Sequence, residues 1–297
     1  MYPRAFHYHR AGSLQEAVAM LAQLGDEAKP LAGGQSLIPL MKLRFANPAH
    51  LVDLNFISGA NYIKEDHGTV RFGALTRHSQ IEASAAAGKI SILHDCAAGI
   101  ADVQVRNRGT IGGSLAEADP SGDWATVLST LSVEVSCLGA EGERILPLSD
   151  FIKDAYTTAL SHDELVSEVA VKNPPKGSGG AYLAFKRSAP VYPTASAAVQ
   201  LTMDGDVCRE AAIALGCVGL TAIRSSDAEA VLRGQALTEK TIARAIEASR
   251  AAADPQSDMR GSADYKRTLV GALVKRAIEI ALRRARGEQV EVGHIYA

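Results

Sequence analysis

The sequence has little of what marks several common classes of protein. Its four cysteines, at positions 96, 137, 208 and 217, include no CxxC pair. That spacing argues against a disulfide scaffold or a zinc site, and cysteine-ligated iron–sulfur clusters need closer groups. No charge sign dominates: 31 Lys and Arg stand against 33 Asp and Glu, interspersed along the chain. Without a basic field, nucleic acid and anionic membranes are not expected partners. The longest apolar run, residues 211–223, is broken by Gly216, Gly219 and Thr221, too short for a membrane span and better read as a buried strand with a turn. The first ten residues hold no apolar stretch of the secretory kind. A reducing cytoplasm is expected, and any redox chemistry here must use an organic cofactor.

What is present is the mix of a globular protein, 47% hydrophobic and 22% charged, in a chain long enough for two domains. Ser13 and Glu16 form a capping box for a helix carrying Leu14, Val18, Leu21 and Leu24 on one face, stopped by Gly25. Strands are expected at 29–32, 51–54, 69–74 and 133–137, and helices at 79–87, 90–100 and 123–131. Residues 173–180, with two prolines and three glycines, read as a linker. Beyond it come strands at 181–185, 195–203 and 211–215. Helices follow, one opened by a capping box of Ser226 and Glu229, one at 241–252 and an amphipathic one near 266–286. Strands followed by helices argue an α+β chain.

The strongest chemical feature is a pair of glycine segments, Leu31-Ala-Gly-Gly-Gln-Ser-Leu-Ile38 and Thr110-Ile-Gly-Gly-Ser-Leu115. Adjacent glycines let backbone N–H groups converge on an anion, with hydroxyls from Ser36, Thr110 and Ser114 as further donors. Two such segments, each read as strand, Gly-Gly and then a hydroxyl residue, suit a diphosphate held from both sides. On that reading Gly33→Val or Gly112→Val blocks ligand approach and leaves the fold intact. Glycine is also the default turn residue, and from chemistry alone both readings stand. Neither segment is a GxGxxG fingerprint, and no GxxxxGK[ST] occurs.

Further motifs accompany these segments. Phe6-His-Tyr8 lies near the start. The first glycine segment continues as Ala32-Gly-Gly-Gln-Ser-Leu-Ile-Pro-Leu-Met-Lys-Leu-Arg44, and the second sits in Val105-Arg-Asn-Arg-Gly-Thr-Ile-Gly-Gly113. Ala118-Asp-Pro120 with Asp123, Tyr182-Leu-Ala-Phe-Lys-Arg187 with Tyr192, and Gly261-Ser-Ala-Asp-Tyr-Lys-Arg267 follow. In this order and spacing the chain resembles the FAD-binding medium subunits of molybdenum hydroxylases, such as those of carbon monoxide and N-heteroaromatic dehydrogenases, over nearly its whole length. The FAD domain of xanthine dehydrogenase is a more distant relative.

The resemblance implies a two-part FAD-binding domain of the vanillyl-alcohol-oxidase/PCMH type at 1–175, with parts about 1–56 and 57–175. A smaller α+β domain with an antiparallel sheet and helices is implied at 176–297. It implies that Leu31, Ala32, Gly33, Gly34, Gln35, Ser36, Leu37 and Ile38 cradle the FAD diphosphate. Thr110, Ile111, Gly112, Gly113 and Ser114 close on it from the other side. Asp123 bonds sugar or ribityl hydroxyls, Ile100 and Val166 give apolar contacts, and Lys186 and Tyr192 approach the cofactor. Read alone, Asp123 is a helix cap, Lys186 a solvated strand residue, and Ile100 and Val166 plain core. Molybdopterin and [2Fe–2S] clusters are implied on a large subunit and a small iron–sulfur subunit, in a dimer of heterotrimers that passes electrons through FAD to an external acceptor. Gln35 and Ser114 differ from the His of the carbon monoxide enzymes and the Asn of many relatives, and Glu117 stands where several have His, which argues against carbon monoxide as substrate. The alternative is a self-sufficient flavin reductase or oxidase of the same fold, for which no proton donor or pyridine-nucleotide site is evident. His7 and His9 share a strand face without implying a metal, and no catalytic acid, base or nucleophile is assigned on this chain.

Overall fold

In the computed structural model, which describes residues 2–293, 295 and 296, the chain builds three sheets of consequence. The first is small and parallel: β1 (His7–Arg10), α1 (Leu14–Leu24), β2 (Ala28–Leu31), α2 (Leu37–Leu43) and β3 (His50–Asp53), in strand order β1-β3-β2. Ser13 caps α1 through its Oγ, which accepts from the Glu16 N–H, while the Glu16 carboxylate accepts from Gly12 N–H. Gly25 ends the helix at φ 63°, where L side chains are strained. Ala17, Val18 and Leu21 bury the inner face of α1.

The second sheet is antiparallel. β4 (Ile63–Asp66) and β5 (Thr69–Gly73) form a hairpin. Then come the short helices α3 (His78–Glu82), α4 (Ala85–Lys89), α5 (Ser91–Gly99), α6 (Val103–Arg106), α7 (Ile111–Glu117) and α8 (Asp123–Leu128). β6 (Val133–Gly139) and β7 (Gly142–Pro147) follow, then α9 (Leu148–Phe151) and the small hairpin β8 (Ile152–Asp154) and β9 (Thr157–Thr158). With β10 (Leu165–Lys172) the strand order is β4-β5-β10-β6-β7. The single helix expected at 79–87 is two, because Ser84 takes an extended conformation and caps α4, its Oγ accepting from Ala86 N–H.

The third sheet contains β11 (Ser178–Lys186), β12 (Ala195–Asp204), β13 (Val207–Gly216) and β14 (Ile223–Arg224). α10 (Ser226–Leu232), β15 (Gln235–Ala236), α11 (Glu239–Ala252), α12 (Ala263–Ala285) and β16 (Ile295–Tyr296) complete the chain. Its order is β14-β13-β12-β11-β16, and the three long strands are antiparallel. Their alternation serves two cores. Tyr182, Ala198 and Ala214 face the core that α5 shares with the second sheet, with Ile92, Leu93 and Cys96, while Leu183, Val199 and Ile213 face α12 and its neighbours. The chain is thus α+β, as expected.

Two local expectations are corrected. Gly179 and Gly180 belong to β11, not to a linker. A Cβ on Gly179 would stand 2.2 Å from the Ala281 carbonyl oxygen, so its absence lets α12 lie directly on the strand. The helix after Arg224 has Ser225, not Ser226, at its N-cap and no side-chain cap bond. Glu229 is drawn inward instead, where its Oε1 accepts from Ile213 N–H and from Arg224.

The lobes are joined by a buried ion pair. Arg284 of α12 donates to both Asp95 oxygens of α5 (2.6 and 2.9 Å) and to the carbonyl of Gly180, and Asp95 also accepts from Tyr182 N–H. Both side chains are almost wholly shielded. Asp95→Ala strands the guanidinium without a counter-charge, and we expect a loss of about 3–5 kcal/mol in chemical unfolding. An unchanged denaturation midpoint would show that the pair does not clamp the lobes.

Candidate functional site

One cavity of about 670 Å³ opens where the three lobes meet, within the size range of small-molecule and cofactor sites. Of the residues singled out from the sequence, all but Ile38 and Ile111 line it. Ile38 is exposed and packs over Gly34; Ile111 is fully buried in the core.

The two glycine segments differ in kind. The first behaves as a loop. β2 ends at Leu31, Gly34 turns at φ 73°, and α2 begins at Leu37 without a side-chain cap. Among the described residues, the N–H groups of Gly33, Gly34, Gln35 and Ser36 have no protein acceptor, and all four residues line the cavity. Four consecutive free donors form a nest suited to an anion.

The second segment is not a strand followed by a loop. It follows α6, and Gly112 and Gly113 lie in the first turn of α7, whose N-cap is Thr110. Its donors are already used: Ile111 N–H donates to Thr76 O, Gly112 N–H to Ala74 O, and Gly113 N–H to Thr110 Oγ1. A Cβ on Gly112 would stand 2.6 Å from that of Ala74, so packing against the residue that follows β5 by itself requires glycine here. Gly33 answers to packing as well. A Cβ there would lie 2.3 Å from Arg108 O and 2.8 Å from Gly109 Cα, so the two segments meet backbone to backbone. Valine at either position therefore damages the protein before it meets a ligand, which corrects the expectation of an intact fold.

A polar bracket that the sequence reading missed fixes this meeting. Asn55 Nδ2 donates to Ala32 O (2.8 Å) and Asp53 Oδ1 (2.6 Å), and Arg77 donates to Asn55 Oδ1 (2.5 Å) and to Arg108 O. Tyr8 Oη–H donates to Asp53 Oδ2 at 2.6 Å. One guanidinium thus ties the first segment, through Asn55, to the second. The short polar run Asp53-Leu-Asn55 after β3 was the available signal, since Asx residues bond backbone at strand ends.

Asp123 and Lys186 come together at another wall, both buried. Asp123 is the first residue of α8, and Gly122 is the N-cap, so the carboxylate is not a cap. Its Oδ1 accepts from Tyr182 Oη–H at 2.6 Å and lies 3.9 Å from Lys186 Nζ, which donates to Gly99 O. Burial pushes the carboxyl up, opposed by Lys186 and the tyrosine hydroxyl. Lys186 is not the solvated residue that its strand position alone suggests. Ile100 and Val166 supply apolar wall.

Tyr192 is half-exposed at the opening, with the Arg260 guanidinium 5.9 Å from its ring centre, within cation–π range. Burial and then Asp119 raise its hydroxyl's pKa, and the same two causes push up the Glu117 carboxyl. His7 stacks on His50 and His9 Nε2 lies 2.9 Å from His50 Nδ1; among the described residues no group of three or more His, Cys, Asp or Glu is arranged to hold a metal.

Comparison with known proteins agrees over nearly the whole chain. Residues 4–174 match the family described as FAD binding domain in molybdopterin dehydrogenase, and residues 180–281 the CO dehydrogenase flavoprotein C-terminal domain. The carbon monoxide dehydrogenase medium chain of Afipia carboxidovorans is 41% identical over 96% of this chain and 100% of its own length. Subunit alpha of the 6-hydroxypseudooxynicotine dehydrogenase complex of Paenarthrobacter nicotinovorans is 38% identical over 99% of this chain and 100% of its own. The solved carbon monoxide dehydrogenase of Hydrogenophaga pseudoflava superposes with a TM-score of 0.93 at 41% identity, covering 96% of this chain and 99% of that one. Quinoline 2-oxidoreductase from Pseudomonas putida 86 gives 0.91 at 34% identity, covering 96% and 99%. The chain belongs to the FAD-binding medium subunits of the molybdenum hydroxylases.

Proposed function

We propose that this chain holds FAD in the cavity between its lobes and is the electron-transferring flavoprotein subunit of a molybdenum hydroxylase. The observation that carries the reading is the run of four N–H groups without a protein acceptor at Gly33–Ser36, among the described residues, in residues that line a cavity of cofactor size. The donor set fits the group: backbone N–H for a diphosphate, Asp123 for hydroxyls, and apolar wall from Ile100 and Val166 for a ring. When bound, FAD supplies the capacity to take electrons singly and release them in pairs. The protein binds it, excludes water from it and sets its electrostatic surroundings.

In this reading Leu31–Leu37 receive the diphosphate and Thr110, Gly112, Gly113 and Ser114 wall it from the other side. Thr110 and Ser114 retain hydroxyls for the ligand; the N–H groups of Ile111, Gly112 and Gly113 serve the fold. Lys186, close to Asp123, and Tyr192 at the opening stand beside the cofactor. Ile38 and Ile111 shape the two segments from behind. The cofactor-binding unit is read as 1–175, in parts of about 1–56 and 57–175, and the C-terminal unit as 176–297. The partners are a large molybdopterin subunit and a small subunit with [2Fe–2S] clusters, assembled in the cytoplasm as a dimer of heterotrimers. Among the described residues no helix is long and apolar enough to cross a membrane. Relatives named for carbon monoxide and for 6-hydroxypseudooxynicotine match at 41% and 38% identity, so Gln35 and Ser114 do not decide the substrate, which this reading assigns to the large subunit. Similarity to medium subunits from end to end leaves the self-sufficient reductase without support.

The purified chain should carry flavin absorbance at one FAD per chain; a chain that takes up no FAD contradicts the reading. Asn55→Ala cuts the link between the segments and is expected to weaken FAD binding by about tenfold, roughly the 1.4 kcal/mol of one lost hydrogen bond, as measured by fluorescence titration. Wild-type affinity in that variant would remove the bracket from the account. Lys186→Met takes a buried positive charge away from the cofactor and should lower the bound flavin's midpoint potential by about 30 mV or more. A potential that does not move would place Lys186 too far away to matter.

A further inference from the structure

His78, the first residue of α3, was not singled out from the sequence and lines the cavity while only 5% exposed. Its ring is held from behind by the protein's one tryptophan: the fully buried Trp124 donates its Nε1–H to His78 Nδ1 at 3.1 Å. An indole can only donate, so Nδ1 must be the unprotonated nitrogen. Burial, reinforced by the nearby Arg77 and Arg106, drops the imidazole's pKa to about 3, which keeps the ring neutral at ordinary pH. A neutral ring without a proton on Nδ1 carries it on Nε2. Among the described residues that Nε2–H has no protein acceptor.

The position of this nitrogen gives it a use. A Cβ on Gly109 would stand 2.6 Å from Nε2, so the imidazole lies directly over that glycine, and His78 N–H donates to Gly109 O. Gly109 in turn abuts Gly33, where the nest begins. We propose that His78 Nε2–H is a fifth donor to the cofactor's diphosphate, offered from the wall of the cavity that the four backbone N–H groups' residues also line, and fixed in its tautomer by Trp124. This rests on the FAD reading above and extends it. A neutral donor adds a directed hydrogen bond without adding charge, and the indole removes the competing tautomer, in which Nε2 would be an acceptor and repel a phosphate oxygen.

The test uses the full chain and FAD titration. His78→Phe keeps a ring of similar shape but has no donor, and should weaken FAD binding about tenfold, the scale of one hydrogen bond to a charged acceptor. His78→Gln, which offers an amide N–H, should recover most of that loss. In the wild-type protein with ¹⁵N-labelled imidazoles, His78 should show a proton on Nε2 and none on Nδ1, with the Nε2–H resonance shifting when FAD is added. Wild-type affinity in His78→Phe, or a proton on Nδ1, overturns the proposal while FAD binding stands. If His78→Phe fails to fold, the ¹⁵N spectrum decides alone. Failure of the wild-type chain to take up FAD would instead overturn the underlying reading.

Discussion

Gly33 lies directly on the backbone of Arg108 and Gly109, and the site depends on that contact. With no side chain between them, two segments distant in sequence approach closer than any Cβ would permit. One consequence is the position of the nest, which begins at this point and whose residues line the cavity. Another is that the second segment cannot offer its own donors. Pressed against the turn that follows β5, it gives N–H groups to Thr76 and Ala74 and wraps into α7. The two glycine pairs are alike in letters and opposite in use. One exposes backbone to a ligand, and the other hides it against the protein.

Such an apposition needs to be held, because glycine-rich backbone loses more freedom on ordering than other sequence. Asn55 and Arg77 supply the hold, bonding the carbonyl of Ala32 in the first segment, the carbonyl of Arg108 just ahead of the second, and each other. Elsewhere in the cavity the protein accepts a cost. Asp123 and Lys186 are both taken out of water, and their 3.9 Å separation is a loose ion pair, supplemented by Tyr182 on one side and Gly99 on the other. Buried pairs of this geometry contribute little to stability, and this one lines the cavity.

Much of this was legible in the sequence, and the failures are instructive. The Ser13 cap, the stop at Gly25, the α+β order and the three long strands follow from local rules that packing did not override. The glycine segments could be found, but a one-dimensional pattern cannot separate a glycine needed by a ligand from one needed by a neighbouring backbone. Gly112 shows it: Ala74 excludes a side chain there, so the expectation that valine leaves the fold intact fails, although the residue lines the cavity. Gly179 looked like linker for the same reason, when α12 lies on it. Asn55, Arg77 and His78 were missed because their partners stand 22 to 46 residues away in sequence. Only the folded topology brings them to the seam.

The central claim is that the first segment's free N–H groups receive the cofactor's diphosphate while the second segment's are committed to the fold. Hydrogen–deuterium exchange at single-residue resolution, with and without FAD, tests it directly. Gly33–Ser36 should exchange fast in the cofactor-free chain and become strongly protected when FAD binds, and Ile111–Gly113 should be protected in both states. Bound FAD that leaves Gly33–Ser36 exchanging freely would contradict the account.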